Sequence, residues 1–198
     1  MKKSTFAVLL FGALLSCTQN TGEQASETPT STEQPAENKP KDFTEAGGDI
    51  AAAMQSHLLS NLENAIAAGG VASAIQYCNI RASQLTDSLS NVYNCQIARI
   101  SARARNPENR LTALDAPALQ AVSTDSLPPF LLVETDSSAI YYQKISLASP
   151  TCLKCHGRPG KEIEAGTLTA IKQLYPKDIA VGYALNDTRG AWKITFKK

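Results

Sequence analysis

The stretch Cys152-Leu153-Lys154-Cys155-His156 constrains this chain more than any other. Two thiols three positions apart, with an imidazole directly after the second, form the pattern for covalent attachment of a c-type haem. The spacing has a chemical reason. Both sulfurs must reach the two vinyl groups of one porphyrin to form thioethers, while the adjoining ring nitrogen sits beneath the iron as its proximal ligand. The same Cys-x-x-Cys core also serves zinc sites and thiol–disulfide exchange. Zinc needs a fuller ligand set, but the sequence holds no second Cys-x-x-Cys and its only other histidine is His57. A thioredoxin-like dithiol belongs near a βαβ pattern at a helix start and has no special need for His156. The motif therefore predicts one covalently bound haem c, with Cys152 and Cys155 as thioethers and His156 on the iron.

The N-terminus predicts where this chemistry takes place. Met1-Lys2-Lys3 is a positive start, and Phe6 to Leu15 is an apolar run too short to span a bilayer permanently. Its end, Leu14-Leu15-Ser16-Cys17, resembles the lipobox of bacterial lipoproteins, in which the cysteine is lipidated and becomes the mature first residue. The alternative is an ordinary cleaved export signal with a stray cysteine. Several acyl chains, at about 0.8 kcal/mol per buried methylene, exceed what stable anchoring needs. Residues 1–17 are thus expected to be a lipoprotein signal with lipidated Cys17, facing the periplasm or the cell exterior. Residues 18–42 have hardly an apolar side chain larger than alanine and cannot offset their ordering entropy. They read as a disordered tether with a typical span of about 25 to 30 Å, somewhat stiffened by Pro29, Pro35 and Pro40.

Residues 43–198 are long enough for one domain with a real core. With 19 basic and 18 acidic residues the formal net charge is +1. Nothing in that balance suggests nucleic acid as a partner or a strongly basic membrane-binding face. Asp49 is placed to cap a helix carrying Ile50, Met54, Leu58, Leu62 and Ile66 four apart, which Gly69-Gly70 would stop. In a second helix Val71, Ala74, Ile75, Cys78, Ala82, Leu85 and Leu89 recur at three- and four-residue steps, which turns Cys78 inward. A strand follows from Tyr93 to Ser101, and a short helix near Pro117 with Asp115 just before it. Phe130 to Thr135 and Ile140 to Leu147 read as a hairpin, Thr167 to Leu174 as a brief helix before Pro176. Val181 to Leu185 and Ala191 to Phe196 read as two closing strands around a reversal at residues 186–190. About five short strands with helices in front and between predict an α+β domain with an antiparallel sheet.

Several stretches together resemble a known family. They are Gly69-Gly70 with Ala74-Ile75 and Cys78; Arg99 to Ser101 with Arg105-Asn106-Pro107-Glu108-Asn109; Cys152 to Gly157; Tyr175-Pro176 with Asp178 and Ala180; and Gly182-Tyr183 through Arg189-Gly190-Ala191. In combination they are similar to the PAS-like c-type haem domains, which occur alone or as input modules of bacterial sensor proteins. The resemblance implies a PAS-like fold and an iron held by histidine on one side and cysteine thiolate on the other. Carried onto this sequence, those ligands are His156 and Cys78. A thiolate would favour ferric iron and depress the reduction potential relative to a methionine ligand.

Other roles for Cys78 stay open at this stage. With Cys17, Cys152 and Cys155 assigned, Cys78 and Cys95 form an even remainder, the usual arithmetic for a disulfide in an oxidising compartment. A buried unliganded thiol is also common, and Met54 or His57 could replace it on the iron. Arg103 and Arg105, and with them Lys154 and Arg158, could pair with haem propionates, although solvated surface is the default for each. Tyr175 and Tyr183 could line the pocket or simply pack. Lys161 and Glu162 read as exposed charge.

Two functions follow from a haem so held. One is electron transfer with a partner protein at the membrane. The other is a redox or diatomic-gas sensor whose distal ligand detaches and whose partner receives the change. The sequence shows no kinase, cyclase or transmembrane helix after the domain, which favours electron transfer. Peroxidase-like catalysis needs an available iron position, which a bound Cys78 would fill.

Overall fold

Why a helix far longer than the usual ten to fourteen residues can form here is visible in its ends. The computed structural model describes residues 42–198, so Cys17, the signal and nearly all of the tether lie outside the described residues. Helix α1 runs Phe43–Tyr93 and is broken internally at Gly70, with φ 77° and ψ 179°. A straight helix of its 51 residues would be about 76 Å long at 1.5 Å per residue. Yet Phe43 and Ala46 at one end, and Leu89 and Tyr93 at the other, all pack on the same apolar cluster. Gly70 therefore folds α1 back on itself into two arms, and Tyr77 Oη on the second donates to Asn61 Oδ1 on the first at 3.0 Å. The expected stop at Gly69-Gly70 is this reversal. Only glycine occupies that backbone region without strain. Gly70→Ala is expected to cost roughly 1–3 kcal/mol, read as a lowered urea midpoint at unchanged slope.

The first arm starts seven residues earlier than the periodicity suggests. Asp42, not Asp49, is the cap, its Oδ1 accepting from the amides of Thr44 at 2.9 Å and Glu45 at 3.2 Å. Packing of Phe43 and Ala46 extends the helix, while Asp49 stays exposed on the outer face.

Four strands form one antiparallel sheet: β1 (Gln96–Ile100), β2 (Phe130–Glu134), β3 (Ser138–Ser146) and β4 (Thr188–Lys197), in the order β1-β4-β3-β2. Alternation along β4 serves two layers. Trp192, Ile194 and Phe196 meet Ile50, Ala51 and Met54 of α1, whereas Ala191 faces helix α2 (Ala116–Ser123) with Leu119 and Val122. The predicted hairpin is β2–β3, paired from Phe130↔Gln143 to Glu134↔Ala139.

Asp115, at the start of α2, makes no side-chain cap. It is instead a buried acceptor for Tyr142 Oη at 2.8 Å, Thr112 Oγ1 at 2.8 Å and Lys193 Nζ at 2.7 Å. Burial pushes its carboxyl up, but the hydrogen bonds outweigh that and hold it below the usual range. Asp115→Asn is expected to cost about 2 kcal/mol by leaving donors poorly paired. Because the folded carboxyl titrates below the unfolded one, its contribution is complete above about pH 4 and is lost as pH falls through the folded value. The parent's urea midpoint should therefore fall on acidification more than the variant's.

The apolar run Val181 to Leu185 is not a strand, which leaves four strands among the described residues rather than about five. Its amides are spent elsewhere: Gly182 donates to Gly157 O at 2.6 Å and Tyr183 to His156 O at 2.9 Å. Gly182 itself has φ 79°, incompatible with a regular strand. Helices α3 (Pro150–His156) and α4 (Ala165–Leu174) and this strap all lie between β3 and β4. The excursion is closed at its neck by Leu147 N to Asp187 O at 3.1 Å and Asn186 N to Leu147 O at 3.0 Å. No helix among the described residues is long and apolar enough to cross a membrane.

Candidate functional site

Helix α3 is short because its sequence both starts and stops it. Ser149 Oγ accepts from Thr151 N at 3.2 Å, Pro150 stands in the first turn, and Gly157 N closes on Leu153 O at 2.8 Å. Within it Cys152 and Cys155 are three residues apart and so share one face. Both line the same cleft, with His156 beside them. Gly190, on β4, lines the cleft where a Cβ would come within 2.3 Å of Ile100 O, so the backbones can approach there only without a side chain.

The imidazole is aimed by its surroundings. Its Nδ1 lies 2.8 Å from Ala180 O, and a carbonyl can only accept, so Nδ1 carries the proton and Nε2 keeps its lone pair. Burial, followed by the nearby Arg105 and Arg189 cations, holds the ring well below its ordinary pKa and therefore neutral. The Ala180 carbonyl is itself fixed: Ala180 N donates to Asp178 Oδ1 at 2.9 Å, and Asp178 pairs with Arg105 Nε at 3.2 Å. Arg105 Nη2 then donates to Cys155 O at 2.6 Å and to Ala180 O at 3.3 Å. One guanidinium thus ties the thiol helix to the loop that orients the imidazole. The Tyr183 ring meets His156 edge-on at 6.2 Å.

The cleft holds about 1130 Å³ of space out to its open mouth. Both arms of α1 line it, with Leu58 and Leu62 from the first and Ile75 and Cys78 from the second. Cys78 is a free thiol, and no disulfide joins it to Cys95. Burial pushes the Cys78 thiol up, against the pull of Arg99 and Arg105. Burial likewise pushes Cys155 up to about 11, the reverse of the depressed pKa that thiol–disulfide exchange requires. Among the described residues no three Cys, His, Asp or Glu side chains are gathered to hold a metal by themselves. The donors that do share the cleft are the thiols of Cys78, Cys152 and Cys155 and the imidazole of His156, residue types that would hold a haem and supply it with iron ligands.

A family model described as Tll0287-like matches residues 19–196. The chain belongs to the Tll0287-like family. The crystal structure of the cyanobacterial heme-protein Tll0287 matches with a TM-score of 0.54 and 22% identity, over 80% of this chain and 98% of that one. That likeness carries the fold: an α+β domain with helices packed on an antiparallel sheet. No curated protein matches the chain.

In this Tll0287-like chain the residues singled out in the sequence separate into two groups. Cys78, Cys152, Cys155, His156, Arg105 and Tyr175 all line the cleft. Met54 does not; it is fully buried between α1 and the sheet, and His57 is exposed. Arg103 is also outside the lining, its guanidinium bonded to the carbonyls of Ile179 and Val181 and 4.1 Å over the Tyr183 ring. Arg158 pairs with Glu162 at 2.8 Å on the surface, and Lys154 and Lys161 are exposed. Two residues escape sequence reasoning altogether as site residues: Arg99 and Arg189, both lining the cleft. Arg99 carries a signal that could have found it, since it sits in an alternating strand at a position facing the helices.

Proposed function

We propose that this protein binds one haem c covalently through Cys152 and Cys155, with His156 and Cys78 as the iron's axial ligands, and works in electron transfer. The observation that carries the reading is the convergence on one apolar cleft of two thiols on a single helical face, an imidazole with its Nε2 lone pair available, and a third thiol on a separate helical arm. The heme protein Tll0287 shares the fold. Bound there, the group supplies one-electron iron chemistry whose potential is set by its axial ligands and by the dryness of the cleft. What the chain supplies is placement. His156 is aimed by Ala180, Asp178 and Arg105, and Cys78 is carried on a helix whose far end is packed on the sheet. Neither ligand residue sits on a free loop, which favours electron exchange without ligand exchange. A sensory role through a partner protein is the competing outcome.

The experiment is redox titration of protein matured with a working cytochrome c assembly system, followed optically with and without carbon monoxide. A reversible one-electron wave with a spectrum insensitive to carbon monoxide supports electron transfer. Displacement of a ligand from ferrous iron by carbon monoxide supports sensing, and colourless protein with the mass of the bare polypeptide removes the haem reading.

We also propose that Cys17 is lipidated and holds the protein on a bacterial membrane facing the periplasm or exterior. The motif Leu14-Leu15-Ser16-Cys17 after an apolar run supports it. Cys17→Ala should move the protein from the membrane fraction to the soluble fraction, and an unchanged distribution would refute the anchor.

A further inference from the structure

Three arginines line the cleft, Arg99, Arg105 and Arg189, and no carboxylate does among the described residues. Two of the three already spend donors inside the protein. Arg105 is paired with Asp178 and bonds two carbonyls, and Arg189, though it meets no carboxylate, donates to Ser101 Oγ at 2.7 Å and to Arg103 O at 3.0 Å. Arg99 has no hydrogen bond or ion pair among the described residues. It stands directly across from Trp192 in the β1–β4 ladder, and its guanidinium carbon lies 5.7 Å over that ring. Stacking steadies the plane of a guanidinium but leaves its N–H donors unused. Its side chain is half-buried at the cleft wall, so the cation is partly desolvated with no carboxylate beside it to compensate.

A half-buried cation with unused donors, in a cleft without acids, calls for an acid on the ligand. We propose that Arg99 is the residue that receives a propionate carboxylate of the bound haem. This deepens the haem reading above and rests on it. Arg99 lines the same cleft as Cys78 and His156, so a carboxylate of a group held there would come within reach of its fork. The planar fork can donate two parallel hydrogen bonds to one carboxylate, which lysine cannot do.

The test is resonance Raman spectroscopy of the matured holoprotein and its Arg99→Gln and Arg99→Lys variants. Propionate bending bands and the iron–sulfur stretch report the two neighbours of Arg99 separately. The propionate band is expected to fall in frequency with glutamine and to fall less with lysine. Should Arg99→Gln not accumulate as a haem protein, the lysine variant decides alone. Unmoved propionate bands overturn the proposal, as does a shift confined to the iron–sulfur stretch, which would assign Arg99 to Cys78 instead. A colourless parent would strike the haem reading itself and not the choice of arginine.

Discussion

Cys78→Ser is expected to yield a protein that still carries covalent haem but has a changed ferric spectrum and a higher reduction potential. In the proposed attachment the thioethers form at Cys152 and Cys155, so loading should be unaffected. The hydroxyl of serine is a far poorer donor to ferric iron than a thiolate, so the oxidised state loses its preferential stabilisation. Axial ligands span roughly 0.8 V of haem potential, and a rise on the order of 0.1 V is a moderate share of that range. Carbon monoxide should also bind the ferrous variant readily. Optical and electron paramagnetic spectra matching the parent's in both oxidation states would show that Cys78 does not hold the iron.

The second large effect concerns Arg105. Its guanidinium is nearly sealed from water and its partner Asp178 is 5% exposed in its side chain. Arg105→Leu leaves that carboxylate without a cation and takes a donor from the carbonyls of Cys155 and Ala180. Breaking one side of a buried pair costs about 3–5 kcal/mol. Removing both sides costs less, because no uncompensated charge remains. The double variant Arg105→Leu with Asp178→Leu should therefore recover part of the stability lost in the single one, as read from urea midpoints. The Ala180 carbonyl that orients His156 would remain unsupported in both. Equal stability of Arg105→Leu and parent would contradict the clamp.

Local signals in the sequence carry much of this fold. The apolar stripes of both arms of α1, the Gly70 reversal, the β2–β3 hairpin and α4 are encoded in periodicity and in glycine or proline punctuation, which act over a few residues. Val181 to Leu185 defeats the same reasoning, because alternation cannot reveal that its amides bond to the end of α3 instead of to a neighbouring strand. Within the candidate site, Cys152, Cys155 and His156 stand out in the sequence because haem attachment would demand that spacing. Arg105 reads in the sequence as a candidate propionate contact, and only the fold shows that Asp178, far along the chain, also pairs with it. The opposite holds for Arg99, whose want of an anion emerges only once the neighbours of the cleft are known. Pairing between distant segments decides which charge is spent, and composition and period do not report it.

The neck at Leu147 and Asp187 has a consequence for biogenesis. Residues 148–186 are topologically one long hairpin loop, since β3 and β4 pair directly on either side of it. Closing a loop of that length costs only slowly more entropy than closing a short one. The sheet can thus assemble while the segment carrying Cys152, Cys155 and His156 is still unravelled, which under the proposed covalent attachment would leave it open to the enzymes that ligate a porphyrin. Pulsed hydrogen exchange during refolding of unloaded protein should then show amides of β3 and β4 protected before those of α3.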